Sequence, residues 1–152
     1  VVYFIDLAEK RKSGGKYKNF YLLEETEDNE LLALSFKGTK ENAAGVSLYL
    51  SSFLSKNGIE ESRANRIAVA VEEMAASCAE RMEGKKKFAD IDIRIFADKK
   101  ETIISVRDNG DEFDPLNDDK EFEMSPLTVV KAISDKVEYS RVLGFNRTII
   151  KL

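Results

Sequence analysis

The sequence predicts an α+β fold, a two-layer sandwich with helices on one face of a mostly antiparallel sheet. Two hydrophobic patterns support this prediction. Residues 90–95, Asp-Ile-Asp-Ile-Arg-Ile, alternate between polar and apolar side chains, as expected for a half-buried strand. Residues 62–82 instead place an apolar side chain every three or four positions, as expected for an amphipathic helix. The order along the chain is strands, two helices, two strands, one helix and two strands, which favours an α+β domain.

Each element is predicted from its own local signal. Enrichment in Leu, Phe and Tyr predicts a first hairpin. The helices are predicted from apolar residues at helical spacing and from helix-ending residues such as Gly58. Pro126 is suited to the first turn of the last helix. The predicted elements are hairpin strands at 19–24 and 29–37, helices at 39–56, 62–82 and 126–134, and strands at 90–95, 102–106, 137–142 and 148–152. A Gly-Phe-Asn turn is expected between the last two strands.

Composition excludes several classes of function. The 152 residues fit one domain of ordinary size, and a net charge of −4 argues against a dedicated nucleic-acid binder. The chain has no histidine, which excludes a Ser-His-Asp triad, a histidine phosphoacceptor and a His-ligated metal site. The single cysteine, Cys78, permits no internal disulfide and favours a reducing compartment, so we expect a cytoplasmic location.

Residues 1–18 are predicted to be an extension or linker, and residues 19–152 the domain. The apolar run at 1–5 is too short to cross a bilayer, but it precedes the basic residues 10–12. One interpretation is the end of a preceding membrane helix with its cytoplasmic flank, so that membrane contact would come only through that region. The alternative is an ordinary amphipathic first element.

The strongest functional signal is Asp108-Asn109-Gly110, which follows a predicted strand and leads into a Phe-Asp-Pro-Leu run starting at Phe113. A carboxylate at a strand end can accept a hydrogen bond from an exocyclic amine such as adenine N6. A glycine two residues later lets the backbone approach a flat base closely. The alternative interpretation is a strand-ending turn, since Asp-Asn-Gly-Asp is ideal turn composition.

A second signal lies in the second long helix, where Glu73 and Ser77 are four residues apart and therefore share one face. This pair resembles the N-box of the GHKL ATPases, the family of gyrase B, sensor kinases and anti-sigma-factor serine kinases. The Asp108–Gly110 turn resembles the first glycine-containing box of the family, and its continuation is most similar to the serine-kinase branch. Residues 127–139 also resemble the last helix and penultimate strand of that branch, so the resemblance covers about 30–152.

The resemblance implies a Bergerat-type ATP site that uses magnesium. In it Glu73 would be the general base, Ser77 would stand where the family has a magnesium-binding Asn, and Asp108, Gly110, Phe113 and Thr148 would contact the nucleotide. The implied partner is a sigma factor or an anti-sigma antagonist-like protein, or a second copy of the chain. The implied activity is phosphorylation or sequestration of that partner.

Two departures from the family pattern weaken the expected phosphate and magnesium sites. Ser77 is shorter than Asn and would lie farther from a magnesium ion. Met124, Ser125 and Pro126 stand where the family has a second glycine-rich box, which removes space and an N–H donor from the phosphate cradle. The loop at 111–123 is acidic and would repel a triphosphate unless cations compensate. The alternative function is therefore a degenerate module with weak or no nucleotide binding that serves protein interaction or dimerisation.

Overall fold

The computed structural model describes residues 30–97, 100–117 and 126–152. Within these ranges the chain forms five strands and three helices. They are β1 (Glu30–Lys37), α1 (Lys40–Lys56), α2 (Glu61–Arg81), β2 (Asp90–Ala97), β3 (Thr102–Asp108), α3 (Pro126–Ile133), β4 (Lys136–Val142) and β5 (Phe145–Lys151). The predicted first strand at 19–24 and the predicted extension at 1–18 lie outside the described residues.

The five strands make one antiparallel sheet in the order β1-β2-β3-β5-β4. The crossover inserts β5 between β3 and β4, so the end of β3 lies beside the start of β5. Asp108 is thereby paired with Asn146, and Val106 with Thr148. The predicted α+β sandwich with a mostly antiparallel sheet is confirmed, and the sheet register brings two distant polar residues to one edge.

The two long helices begin at side chains that accept hydrogen bonds from otherwise unpaired backbone N–H groups. The Thr39 hydroxyl accepts from the backbone of Asn42 at 3.1 Å, which starts α1. The Glu60 carboxylate accepts from the backbone of Ser62 at 3.0 Å and of Arg63 at 3.2 Å, which starts α2. The Arg63 Nε then donates to the Thr102 hydroxyl at 2.7 Å and so ties the start of α2 to the start of β3.

The core lies between the helix layer and one face of the sheet, as predicted. The apolar stripe of α2 and the apolar residues of β2 and β3 are buried in a single cluster. From α2 it contains Ile67, Val71, Met74 and Cys78, and from the strands Ile91, Ile93, Ile95, Ile104 and Val106. The burial of these side chains fixes α2 against the sheet by removing their apolar surface from water.

The structure differs from the sequence prediction in β2. The strand was expected to be half-buried, yet Asp92 and Arg94 on its polar face are also buried. The position of β2 between β1 and β3 explains part of this, because flanking side chains shield both faces. Ser35 of β1, for example, donates a hydrogen bond to the Asp92 carboxylate.

The turn between the last two strands also differs from the prediction. Val142 pairs with Phe145, so the loop contains only Leu143 and Gly144, whose φ angles are 51° and 84°. Positive φ at both central residues is the signature of a type I′ turn, which suits the right-handed twist of a tight hairpin. Phe145 and Asn146 therefore belong to β5 rather than to a Gly-Phe-Asn turn.

None of the helices in the described ranges combines the length and the apolar character that crossing a membrane requires.

Candidate functional site

The candidate site lies where β3, β5 and the end of α2 meet, around the carboxylate of Asp108. Asp108 is the last residue of β3 and is 5% exposed. Its Oδ1 accepts hydrogen bonds from the Gly110 backbone and the Asn146 side-chain amide, each at 2.9 Å. Its Oδ2 lies 3.3 Å from Nη2 of Arg81. A buried carboxylate needs such donors, because leaving it unpaired away from water is costly.

Gly110 is required at this corner by space rather than by an unusual φ angle. A Cβ atom added at this position would lie 2.9 Å from the Asp108 Oδ1, closer than real Cβ contacts. The same carboxylate oxygen accepts the Gly110 N–H, so the turn closes back on the strand end. The predicted pairing of an acidic strand end with a glycine two residues later is therefore present, and it makes a compact Asp turn.

Asn146 joins three parts of the site, although it is not among the site residues predicted from the sequence. Its amide donates to the Asp108 carboxylate and, at 2.7 Å, to the Asp111 carbonyl. Its carbonyl oxygen accepts from the Phe113 backbone at 3.2 Å, the Tyr139 hydroxyl at 2.9 Å and Arg141 at 2.8 Å. The only sequence signal was an Asn within the predicted Gly-Phe-Asn turn, and Asn is common in turns of proteins without a site.

Arg81, the last residue of α2, is the second functional residue that sequence reasoning missed. Its Nη1 donates to the Ser77 hydroxyl at 2.9 Å, and its Nη2 forms the ion pair with Asp108. The guanidinium carbon lies 4.3 Å from the centre of the Phe113 ring, a cation–π contact. The available signal was its spacing, since Arg81 is four residues after Ser77 and hence on the same helix face.

Ser77 is buried on α2, and its hydroxyl serves as an acceptor for Arg81. This contact directs the hydroxyl toward the Asp108 corner. Within the described ranges, no group of three or more His, Cys, Asp or Glu side chains is arranged to hold a metal ion. Magnesium is commonly held by only one or two protein ligands together with substrate phosphates, so the predicted metal role of Ser77 stays a prediction.

Glu73 lies one helical turn before Ser77 and is half-buried. Burial raises the pKa of its carboxyl group, and the negative charges of Glu72 and Glu80 raise it further. A carboxylate with a raised pKa holds a proton more readily than an exposed one, which is the property of a general base. Its predicted catalytic role stays a prediction.

Thr148 of β5 is buried and lies between Val106 of β3 and Tyr139 of β4. Val106 belongs to the core, so this register places Thr148 on the helix-covered side, two residues from Asn146 on the same face. The structure thus brings Asp108 and Gly110 into direct contact and links Ser77 and Phe113 to them through Arg81 and Asn146. Thr148 lies at an adjoining strand position.

Cys78 is buried next to the site and has the properties of a core residue, as its position in the apolar stripe of α2 indicates. Burial raises the pKa of its thiol to about 12, and the neighbouring Asp108 carboxylate contributes to the increase. A thiol of this kind is almost wholly protonated at neutral pH and is a poor nucleophile.

Cations balance part of the acidic loop beyond the site. Lys85 forms an ion pair with Asp111, and its hydrogen bond and charge lower the pKa of that carboxyl group. Arg141 lies 3.7 Å from the Glu112 carboxylate. Two acidic residues expected to repel phosphate are therefore paired. The Asp114 carboxylate accepts hydrogen bonds from Leu116 and Asn117 within the loop itself. The acidic residues at 118–123 and the substituted box at 124–125 lie outside the described residues.

Comparison with known protein families places this geometry in context. The family model described as "Histidine kinase-like ATPase domain" matches residues 36–152, which include every candidate site residue. No curated protein matches the chain at a significant level of sequence similarity.

Proposed function

Since the chain belongs to the family of histidine kinase-like ATPase domains, we propose that it binds adenine nucleotides through Asp108 and regulates a protein partner. The observation that carries this proposal is the buried Asp108 carboxylate at the end of β3, with Gly110 folded against it and the Phe113 ring against its ion-pair partner Arg81. A hydrogen bond from an amine to a buried carboxylate is stronger than the same bond in water. An aromatic ring offers a flat surface on which a base can stack.

In the proposed complex, Asp108 Oδ2 accepts the N6 amine of adenine. The other carboxylate oxygen keeps its two internal bonds to Gly110 and Asn146, which hold the carboxylate in position. Gly110 leaves room for the base, Phe113 contacts its face, and Thr148 lines the adjoining strand. The Asn146 amide acts as a positioning group, because it fixes the orientation of Asp108 relative to the turn that bears Phe113.

The proposed regulatory action resembles that of the anti-sigma serine kinases, with a sigma factor or an antagonist-like protein as the partner in the cytoplasm. We favour sequestration of this partner over its phosphorylation. Phosphoryl transfer depends on charge neutralisation by metal ions, and the Ser77 hydroxyl is already bonded to Arg81. If transfer occurred, Glu73 would be the group that accepts the proton of the partner hydroxyl.

A second function is favoured by a specific contact. Both Asp108 oxygens already have protein partners, since Arg81 lies on the oxygen that adenine would use. This arrangement also fits a degenerate module that binds no nucleotide and serves as a protein-interaction or dimerisation domain.

Calorimetric titration with ATP and ADP, each with and without magnesium, separates the two functions. For the wild-type chain we expect binding of both nucleotides with dissociation constants within about tenfold of each other, a difference of less than about 1.4 kcal/mol. The reason is that Met124, Ser125 and Pro126 replace the glycine-rich box in the sequence, and a proline offers no N–H donor to the γ-phosphate. Wild-type binding of Mg-ATP more than tenfold tighter than ADP would contradict this expectation and favour the kinase activity.

The Asp108→Asn variant tests the base contact. We expect it to weaken ADP binding by about 1–3 kcal/mol, the usual scale for a hydrogen bond to a charged group. Asp111→Asn is the matched control, because Asp111 lies three residues away and pairs with Lys85 at the surface. Equal affinities in the wild type and Asp108→Asn would show that adenine does not use this carboxylate, and a complete lack of binding would support the degenerate module.

A further inference from the structure

The contacts of Arg81 are the same kind of contacts that the proposed function requires of adenine. Its guanidinium is planar, donates an N–H to Asp108 Oδ2 and lies over the Phe113 ring. An adenine in the proposed complex would present a planar ring to Phe113 and an N–H to the same oxygen. The two groups need the same acceptor and the same ring face, so they cannot occupy the corner together.

The geometry of Arg81 is that of a group which can be displaced. The Nη2–Oδ2 distance of 3.3 Å is longer than the roughly 2.7–2.9 Å of a strong charge-assisted hydrogen bond. The pairing is made through one nitrogen rather than as a bidentate fork, and Nε of Arg81 is buried without a hydrogen-bond partner. Arg81 is also the last residue of α2, so its side chain can leave the corner without disturbing the helix interior.

We propose that Arg81 is a built-in competitor for the base subsite, and that nucleotide binds only to the fraction of molecules in which the guanidinium has left Asp108. This inference rests on the proposed function. The apparent dissociation constant is then raised by the reciprocal of that open fraction. Displacement also releases the Ser77 hydroxyl from its bond to Arg81, so occupancy of the base subsite changes the face of α2 that carries Glu73.

The first experiment measures the affinity of adenosine and ADP for three variants. Arg81→Met removes the competing donors together with the ion pair and the cation–π contact that hold the side chain against Asp108 and Phe113. The uncharged side chain can then leave the ring face, and we expect the variant to bind about five- to tenfold tighter than the wild type. Ser77→Ala removes one anchor of Arg81 and should give a smaller gain. Arg66→Met is the control, because Arg66 donates to the Ile133 carbonyl at the end of α3 and should leave affinity unchanged.

The outcomes separate this inference from the proposed function. If the wild type binds and Asp108→Asn weakens binding, but Arg81→Met binds equally or more weakly, the function stands and the competition is wrong. If neither the wild type nor Arg81→Met binds adenosine or ADP, the adenine site is wrong and the competition falls with it. Binding by Arg81→Met but not by the wild type supports the competition, and it identifies Arg81 as the reason that the wild type behaves as a module without nucleotide binding.

Arg81→Met leaves Asp108 without its cationic partner and could fail to fold. A second measurement therefore uses the wild type. The Nε–H signal of Arg81 in an NMR spectrum, assigned by its absence from Arg81→Lys, should shift on saturation with adenosine as the guanidinium leaves Phe113. An unchanged signal in a sample saturated with adenosine would overturn the proposal.

Discussion

At the scale of single residues, the site is governed by how two carboxyl groups are solvated. Asp108 is buried but receives hydrogen bonds from Gly110, Asn146 and Arg81, which offset the cost of removing its charge from water. Glu73 is half-buried among other carboxylates, and its pKa is raised by burial, Glu72 and Glu80. Hydrogen-bond donors therefore hold the Asp108 carboxylate in a fixed orientation. The charged form of Glu73, in contrast, is destabilised by its surroundings.

Glu73 should therefore make stability depend on pH. Its folded-state pKa lies above the ordinary value of 4.5, so the folded chain binds more protons than the unfolded chain in the window just above pH 4.5. Stability is then lost as pH rises through that window. Glu73→Gln should raise the Tm at pH 7, and the gain should shrink toward zero below pH 4.5.

Thermal unfolding followed by circular dichroism from pH 4 to 8 would measure this effect. Glu83→Gln, at an exposed position just beyond α2, controls for removing one negative charge from the same region. A gain for Glu73→Gln that stayed constant down to pH 4 would argue against the carboxylate as its cause.

At the scale of elements, the β4–β5 hairpin decides where Asn146 lies. A two-residue loop places Asn146 in the strand opposite Asp108, whereas a longer loop would move it. Leu143 is energetically unfavourable in this loop because it adopts a positive φ of 51°. Its side chain is 83% exposed, so little burial offsets this cost. Left-handed backbone costs a non-glycine residue about 1–2 kcal/mol, and Asn tolerates it best.

Leu143→Asn should accordingly stabilise the domain by about 0.5–1 kcal/mol, through relief of this backbone cost. Leu143→Val is the matched control and should destabilise it, since a β-branched side chain fits positive φ least well. Urea unfolding at equilibrium would measure both changes. If Leu143→Asn lowered the free energy of unfolding, the exposed leucine side chain would have to make a stabilising contact that outweighs the backbone cost.

At the scale of the whole molecule, one apolar core joins both layers of the described residues. It draws on α1, α2, α3 and every strand except β4, whose Val137 packs against it only partly buried. Leu50 of α1 is 0% exposed within this core, whereas Leu48, two residues earlier, is 76% exposed. We therefore expect helices and sheet to unfold together.

The two leucines offer a matched test of this core. Leu50→Ala should destabilise the domain by about 2–5 kcal/mol through lost burial and the cavity left behind, while Leu48→Ala should change stability by less than about 0.5 kcal/mol. Urea unfolding of Leu50→Ala should remain a single transition by circular dichroism and tyrosine fluorescence. Two separated transitions would show that the layers are not one cooperative unit.

The fold and part of the site were predictable because they depend on periodic or local signals. Alternation at 90–95 and the apolar stripe of α2 identified the two faces that form the core. The Asp108–Gly110 turn was visible because its chemistry lies within three residues. Arg81 and Asn146 were missed because their roles depend on which way a side chain turns and on the crossover that sets β5 beside β3. Neither the direction of a side chain nor the order of the strands in the sheet can be derived from neighbouring residues in the sequence.

The Asp108 turn also bears on the chemical lifetime of the protein. Asparagine followed by glycine is prone to deamidation, in which the glycine nitrogen attacks the asparagine side chain and closes a cyclic imide. In Asn109-Gly110 the Gly110 N–H is bonded to Asp108, and the Asn109 side chain is held against Asp90 through two hydrogen bonds. Both reacting groups are thus restrained, so we expect the hydrogen bonds that hold Gly110 to Asp108 and Asn109 to Asp90 to slow deamidation at this peptide bond.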